Sequence, residues 1–360
     1  MHYQFPSELG IGPIMELFRA IPVSRTSRIT VVTTPSVHKI PEVMNALDYM
    51  ETRVNLAVYH IGRDAPIGEI DAIVKDGSIP ETIVAIGGGS AIDAGKALSV
   101  AYGTSSITDL LYHRGTLPDY SVRTVAIPTT AGTGAEVSEG AIVYDEEEAF
   151  KGGIRGKVLR PRRVWLDTSL HAYAPKEIIQ EAAFDCLTHA LETYCATASN
   201  SVTKYHSVWA LRSVFQHIEP AAKSKNAQSL QKLAIAATFM GANLVHSRTC
   251  LPHRVQYLIG PLTRTSHAKG LMMLYRGWLP LIRKEAVFTE IANELDMSSD
   301  DLVDRISGLV EVFTNHSSLK DFGVIQSDVS SLSSRVTGSM EVDPSFRNTE
   351  TIERMIEGAI

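Results

Sequence analysis

Short apolar runs alternate with helical patterns through the first half of the chain. RITVVTTPS (28–36), NLAVYHI (55–61), TIVAIGG (82–88), TVAIPTT (124–130) and RVWLD (163–167) are rich in β-branched residues and bounded by Gly, Pro, Thr or Asp. Each predicts a strand. Between them, PEVMNALDYME (41–51) and IGEIDAIVKDG (67–77) carry apolar residues at helical spacing. Such alternation predicts a parallel sheet with crossover helices. From about Pro175 the pattern changes to long amphipathic segments: KEIIQEAAFDCLTHALETYCATA, SVTKYHSVWALRSVFQHIEPAAK and SLQKLAIAATFMGANLVH. Farther on, Ser298 and Ser299 are placed to cap a helix with Leu302, Ile306, Leu309, Val310 and Phe313 on one stripe. No comparable strand follows Asp167. The expected class is α/β plus all-α, with a sheet domain over 1–168 and a helical domain over 169–360.

Composition narrows the class without changing it. The chain has 360 residues, 44% hydrophobic and 21% charged, which fits two ordinary globular domains. Its net charge of −6 leaves no global basic field for nucleic acid. Three cysteines, Cys186, Cys195 and Cys250, lack CxxC spacing and suit a reducing compartment. The opening MHYQFPSELG does not read as a signal peptide. No run approaches the ~18 apolar residues of a membrane span. The expectation is a soluble, cytoplasmic enzyme with neither a nucleic-acid nor a membrane partner.

The first chemical signal is IVAIGGGSAIDAGKAL (83–98), where a strand runs through three glycines into a helix beginning near Ser90. Glycine lets backbone N–H groups approach a ligand, and a helix N-terminus adds partial positive charge. Gly87, Gly88, Gly89 and Ser90 are thus candidates to cradle a pyrophosphate, although the spacing is not GxGxxG. PTTAGTGAEVSE (128–139) follows the next strand and offers the hydroxyls of Thr129, Thr130 and Thr133. Two such loops at neighbouring strand ends point to a dinucleotide.

In the helical half, Asp185 and His189 lie four apart in AAFDCLTHALETY, on one helix face, with Glu192 close enough to hold or orient them. LPHRVQYLIGPLTRTSHAKG adds His253 and His267, while His246 competes for a ligand role. One carboxylate and three imidazoles make a candidate site for Fe²⁺ or Zn²⁺. Cys186 reads as a small buried hydrophobe.

In order, GGGSAIDAGKA, PTTAGTGAEVSE, Lys151 in KGGIRG, DTSL (167–170), FDCLTHALETY and two histidines 14 apart resemble the iron-containing alcohol dehydrogenase family. This family lies within the dehydroquinate-synthase-like superfamily. The resemblance implies a Rossmann-like dinucleotide-binding domain, a helical metal-binding domain and a homodimer. It implies Asp185, His189, His253 and His267 as metal ligands. It places Gly87, Gly88, Gly89, Ser90, Asp93, Thr129, Thr130, Thr133 and Lys151 at NAD or NADP. The implied reaction is hydride transfer between nicotinamide and the metal-polarised carbonyl of a small aldehyde, or the reverse from an alcohol.

Three departures from the family pattern carry information. Tyr257 replaces a histidine four residues after the third ligand, so this tyrosine or a water must relay the proton. The last ligand sits in Ser266-His267-Ala268 rather than Pro-His-Gly, and is followed by Lys269. Thr34 stands where an aspartate would favour NAD, which makes NADPH acceptable.

Arg254, Arg264 and Lys269 lie near the ligands in sequence, and KGGIRGKVLRPRR (151–163) has six basic residues in thirteen. Such charge suits an aldehyde bearing a phosphonate, phosphate or carboxylate, with Arg254 as the sharper candidate. The 151–163 run also reads as a solvated basic loop balancing Glu146, Glu147 and Glu148. The candidate catalytic set is Tyr257, His267 and Arg254. Maleylacetate reductase chemistry, a sugar-phosphate cyclase and a degenerate homologue that only binds cofactor are the alternatives.

Overall fold

The computed structural model describes residues 8–103 and 106–360. Its strands are β1 (Glu8–Ile11), β2 (Arg28–Thr33), β3 (Asn55–His60), β4 (Thr82–Gly87), β5 (Arg123–Pro128), β6 (Gly140–Asp145), β7 (Phe150–Arg155) and β8 (Arg163–Leu166). Six form a parallel sheet in the order β1-β8-β5-β4-β2-β3, while β6 and β7 make an antiparallel hairpin. Helices α1 (Ile14–Ala20), α2 (Pro35–His38), α3 (Pro41–Glu51), α4 (Ile67–Asp76), α5 (Gly89–Ala101) and α6 (Ile107–Leu111) belong to the same half. Alternate residues of each strand face opposite ways. Val31, Val84 and Ile127 pack under α1 and α3, and Val32 and Ile83 pack under α4 and α5.

All five predicted strands form, four within their expected windows and β5 starting one residue early at Arg123. Three further strands were not predicted. β1 is a four-residue edge strand, largely exposed, and the β6–β7 hairpin takes in the first five residues of the segment read as a basic loop, which runs on through a 3-10 turn at Lys157–Leu159 to β8. Lys151–Arg155 are in β7, not in a solvated loop. Nor do its cations balance Glu146, Glu147 and Glu148: Lys151 pairs with Asp64, Arg160 with Glu139 and Arg163 with Glu8.

Beyond β8 every described element is helical. The α-helices are α7 (Lys176–Cys195), α8 (Ser201–Ser224), α9 (Ala227–His246), α10 (Leu251–Thr263), α11 (His267–Ile282), α12 (Ala286–Glu294), α13 (Ser299–Thr314), α14 (Val329–Arg335) and α15 (Thr349–Glu357). α7 departs from the amphipathic expectation. Every residue from Ala183 to Cys195 is buried, because α8, α9 and α11 enclose it. Asp185, Thr188, His189, Glu192 and Thr193 are therefore polar groups inside a core, and each needs a partner. All three cysteines are buried free thiols, and burial pushes each one's pKa up. No helix of the described residues is long and apolar enough to cross a membrane.

Ser298 caps α13 through the Asp301 N–H at 3.1 Å, and the Asp301 carboxylate accepts from the Ser298 N–H at 3.2 Å. Ser298→Ala is expected to cost about 1 kcal/mol, as for other lost caps. An unchanged denaturation midpoint would remove this cap from the account of α13 stability.

Candidate metal and cofactor site

The carboxyl ends of β2, β4 and β5 stand side by side, with Thr33 paired to Ile86 and Gly87 to Pro128. At this edge the chain turns through Gly87, whose φ of +155° disfavours a side chain and where a Cβ would lie 2.7 Å from Ala91 Cβ. The threonine loop leans on this turn. The Thr129 N–H donates to the Gly87 carbonyl at 2.9 Å. The Thr130 hydroxyl lies 3.1 Å from where Gly88 would carry a Cβ, and the Thr133 methyl 2.9 Å from the corresponding point at Gly89. The N-terminus of α5 thus opens onto glycine backbone, with Ser90 held by the Asp64 N–H at 3.0 Å. That arrangement is suited to a diphosphate.

Asp93 faces the cavity but already has a partner. Lys96 lies 3.3 Å away, fully buried, and also donates to the Ala135 carbonyl at 2.8 Å and the Ser138 hydroxyl at 2.9 Å. Burial pushes the Lys96 ammonium down, and the Asp93 carboxylate opposes that shift. Lys96, held by Asp93, thereby braces α5 against the threonine loop. Thr34 sits at the carboxyl end of β2 and accepts from the Val37 N–H at 3.3 Å, outside the residues that line the central cavity.

The metal candidates converge from three helices. Asp185 Oδ1 lies 3.9 Å from His189 Nε2 and 3.6 Å from His253 Nε2, and these three buried residues form a compact cluster. His267 Nε2 stands 3.7 Å from the same oxygen on the more open side. A tetrahedral ion with bonds near 2.1 Å has ligand atoms about 3.4 Å apart. Asp185 Oδ1 and His253 Nε2 are also buried without a hydrogen-bond partner, a costly arrangement unless a cation lies between them. The donor set therefore fits one divalent ion.

Electrostatics agree with that fit. Burial pushes the Asp185 carboxyl up, but the surrounding imidazoles reverse this and hold it well below the carboxylate range. Burial lowers His189 and His267, favouring the neutral form that ligates. For His253 burial also acts downward, yet the Glu192 and Asp185 carboxylates lift it to about 10. Cations are favoured at this point.

Glu192 supports His253 and not the Asp185–His189 pair. Both of its oxygens lie 2.9 Å from His253 Nδ1, and it accepts from the Cys250 N–H at 2.8 Å and the Tyr275 hydroxyl at 3.2 Å. Gln256, which the sequence did not single out, plays the same part for His267, with its Oε1 2.6 Å from Nδ1. Each contact leaves the ring's Nε2 facing Asp185. Glu192→Gln is expected to weaken metal affinity about 10–100-fold, as for other outer-shell carboxylates. Competition with a chromogenic chelator measures this, and undiminished affinity would deny Glu192 its orienting role. His246 remains outside the cluster.

A cavity of about 420 Å³ joins the glycine turn to the metal candidates and is lined by Lys151, Arg155, Arg248, Arg254 and Tyr257. A second cavity of about 380 Å³ shares these five residues and Thr249. Tyr257 stacks on His267 with ring centroids 6.1 Å apart, and the Arg254 guanidinium lies 5.7 Å from the Tyr257 ring. Arg264 and Lys269 do not reach either cavity. Arg264 is an exposed left-handed cap after α10, and Lys269 lies over Phe322. Arg155 and Arg248 were missed as cavity residues by sequence reasoning. Only the basic character of the 151–163 run pointed to the first.

Two family models match almost the whole described chain: "iron-containing alcohol dehydrogenase" over residues 8–168, and the C-terminal region of the same family over 180–360. An aldehyde-alcohol dehydrogenase of Streptococcus pneumoniae is 27% identical over 259 residues, covering 67% of this chain and 29% of that protein. The chain therefore spans about three-tenths of that relative's length. A sulfoacetaldehyde reductase of Bilophila wadsworthia is 25% identical, covering 68% of this chain and 65% of its own. The sulfoacetaldehyde reductase of Bifidobacterium kashiwanohense, solved with NAD⁺, superposes with a TM-score of 0.88 at 21% identity, covering 99% and 98% of the two chains.

Proposed function

The chain belongs to the iron-containing alcohol dehydrogenase family, and on that premise we propose that it reduces a small anionic aldehyde with NADH or NADPH. In this reading residues 1–168 bind the dinucleotide and 169–360 supply the metal and catalytic groups of a cytoplasmic homodimer. Asp185, His189, His253 and His267 would hold an Fe²⁺ or Zn²⁺ ion, which would supply Lewis acidity at the carbonyl oxygen, while reduced nicotinamide would supply the hydride. The observation that carries the reading is the buried Asp185–His189–His253 cluster on the same cavity as the glycine turn.

The chain's own side chains do the rest. Gly87, Gly88, Gly89 and Ser90 receive the pyrophosphate, and Thr129, Thr130 and Thr133 flank the nucleotide. Lys151, 2.5 Å from Asp64, reaches the cavity from β7. Thr34 sets a hydroxyl where a carboxylate would repel a 2′-phosphate, so both cofactors are accepted. Tyr257 lies beside His267 and hands a proton to the product alkoxide, directly or through water. Arg254 anchors the negative end of the substrate, joined by Arg155 and Arg248 from the same cavity wall.

Metal-stripped protein, assayed before and after anaerobic addition of Fe²⁺ or Zn²⁺ with each reduced cofactor, tests the proposal. Turnover restored by metal and lost in His267→Ala is expected. Cofactor consumed only catalytically would favour the cyclase chemistry, and cofactor binding without turnover would favour a non-catalytic homologue.

A further inference from the structure

We propose that the anionic end of the substrate is a dianionic tetrahedral group, a phosphate monoester or phosphonate, seated among Arg155, Arg248 and Arg254. The inference rests on the aldehyde-reductase reading above and narrows its substrate class. Arg155 ends β7, Arg248 follows α9 and Arg254 lies in α10, and all three line both cavities.

The charge around these arginines is unbalanced. Of the four acids lining the first cavity, Asp64 holds Lys151, Glu139 holds Arg160 and Asp93 holds Lys96, and Asp185 faces the imidazoles of the metal candidates. Glu148 is exposed at the second cavity. Among the described residues, no carboxylate lies within ion-pair distance of the three arginines. Neutral oxygens orient two of them without cancelling charge. Arg254 donates to the Thr249 hydroxyl at 2.7 Å, and Arg248 to the Ser339 hydroxyl at 2.9 Å. The Arg254 Nε is buried without a partner. An anion between the arginines would accept from that donor and offset their like charge.

Geometry sets the substrate's size and direction. The Tyr257 ring neighbours both the Arg254 guanidinium and the His267 ring, and all three line one cavity with Asp185, so a short molecule reaches the arginines with one end and the metal ligands with the other. Gly338 keeps the far wall open, since a Cβ there would press within 3.3 Å of Arg254 Cδ. A carboxylate or sulfonate brings one negative charge to three guanidiniums. A phosphate monoester brings nearly two, with three acceptor oxygens for their donor forks.

The test uses metal-reconstituted enzyme and four short aldehydes: one neutral, one carboxylated, one sulfonated and one carrying a phosphate monoester. The second ionisation of such a phosphate falls near pH 6. Its KM relative to that of the sulfonated aldehyde, whose charge is constant, is therefore expected to fall about fourfold from pH 5.5 to 8. Calorimetric binding of methyl phosphate and methanesulfonate to the loaded enzyme should show the same preference without turnover. Arg155→Gln and Arg248→Gln should each weaken methyl phosphate binding by about tenfold, one charge-assisted contact being roughly 1.4 kcal/mol, and methanesulfonate binding by less. A flat KM ratio, or a sulfonate bound as tightly as the phosphate at pH 8, would overturn the dianion. A neutral aldehyde matching all the anionic ones would overturn the anionic reading itself.

Discussion

Asp185→Ala is expected to lose its metal on dialysis and to turn over about 10³-fold more slowly than the parent enzyme. Every candidate imidazole faces the same atom, Asp185 Oδ1, at 3.6–3.9 Å. Removing it leaves three imidazoles and no anionic ligand to hold a divalent cation. Lewis-acid stabilisation of a developing alkoxide is worth several kcal/mol; about 4 kcal/mol corresponds to that factor at 1.36 kcal/mol per decade. Metal content and NAD(P)H oxidation, measured on the same sample, report both losses, with far-UV circular dichroism as the folding control. Full metal occupancy with near-parental turnover would remove Asp185 from the ligand set.

Gly241→Ala should be the more damaging change for folding, although Gly241 touches no candidate ligand. A Cβ there would lie 2.6 Å from Val137 Cγ2 and overlap the Gly134 carbonyl, while one at Gly134 would lie 2.6 Å from the Ala237 carbonyl. Gly134 also adopts φ +62°. Here the threonine loop meets α9 backbone to backbone, with no side chain able to move aside. Overpacking typically costs 1–3 kcal/mol, and a clash against main chain belongs in the tail above about 4 kcal/mol. A fall of roughly 10 °C in melting temperature is expected. Gly308→Ala is the control: Gly308 is exposed on α13 with nothing within 4 Å, so alanine should stabilise by about 0.5–1 kcal/mol. Equal melting of Gly241→Ala and the parent would refute the clash.

Much of the frame is legible in the sequence, because β-branched runs between turn residues leave few alternatives for β2, β4 and β5. The hairpin is less legible. β7 spells FKGGIR, in which two glycines and two cations obscure the alternation that defines a strand. α7 misleads in another way: its polar residues suggest a solvated face, yet that face is the site. Asp185 and His189 are readable from their spacing, whereas the choice of His253 over His246 came from family resemblance. The cationic wall is the least legible part. Arg155, Arg248 and Arg254 come from a strand, a left-handed turn and a helix, and only tertiary packing brings them together.

The enclosure of α7 links metal loading to the melting of the whole helical half. Asp185, His189 and Glu192 sit at the centre of that core, so an ion that binds only the folded chain adds RT ln(1 + [M]/Kd) to its stability. At free metal a thousandfold above Kd that term is about 4.1 kcal/mol. The melting temperature should therefore climb with free metal activity even where the reaction is already saturated. Heat tolerance in this chain becomes a readout of the surrounding metal supply.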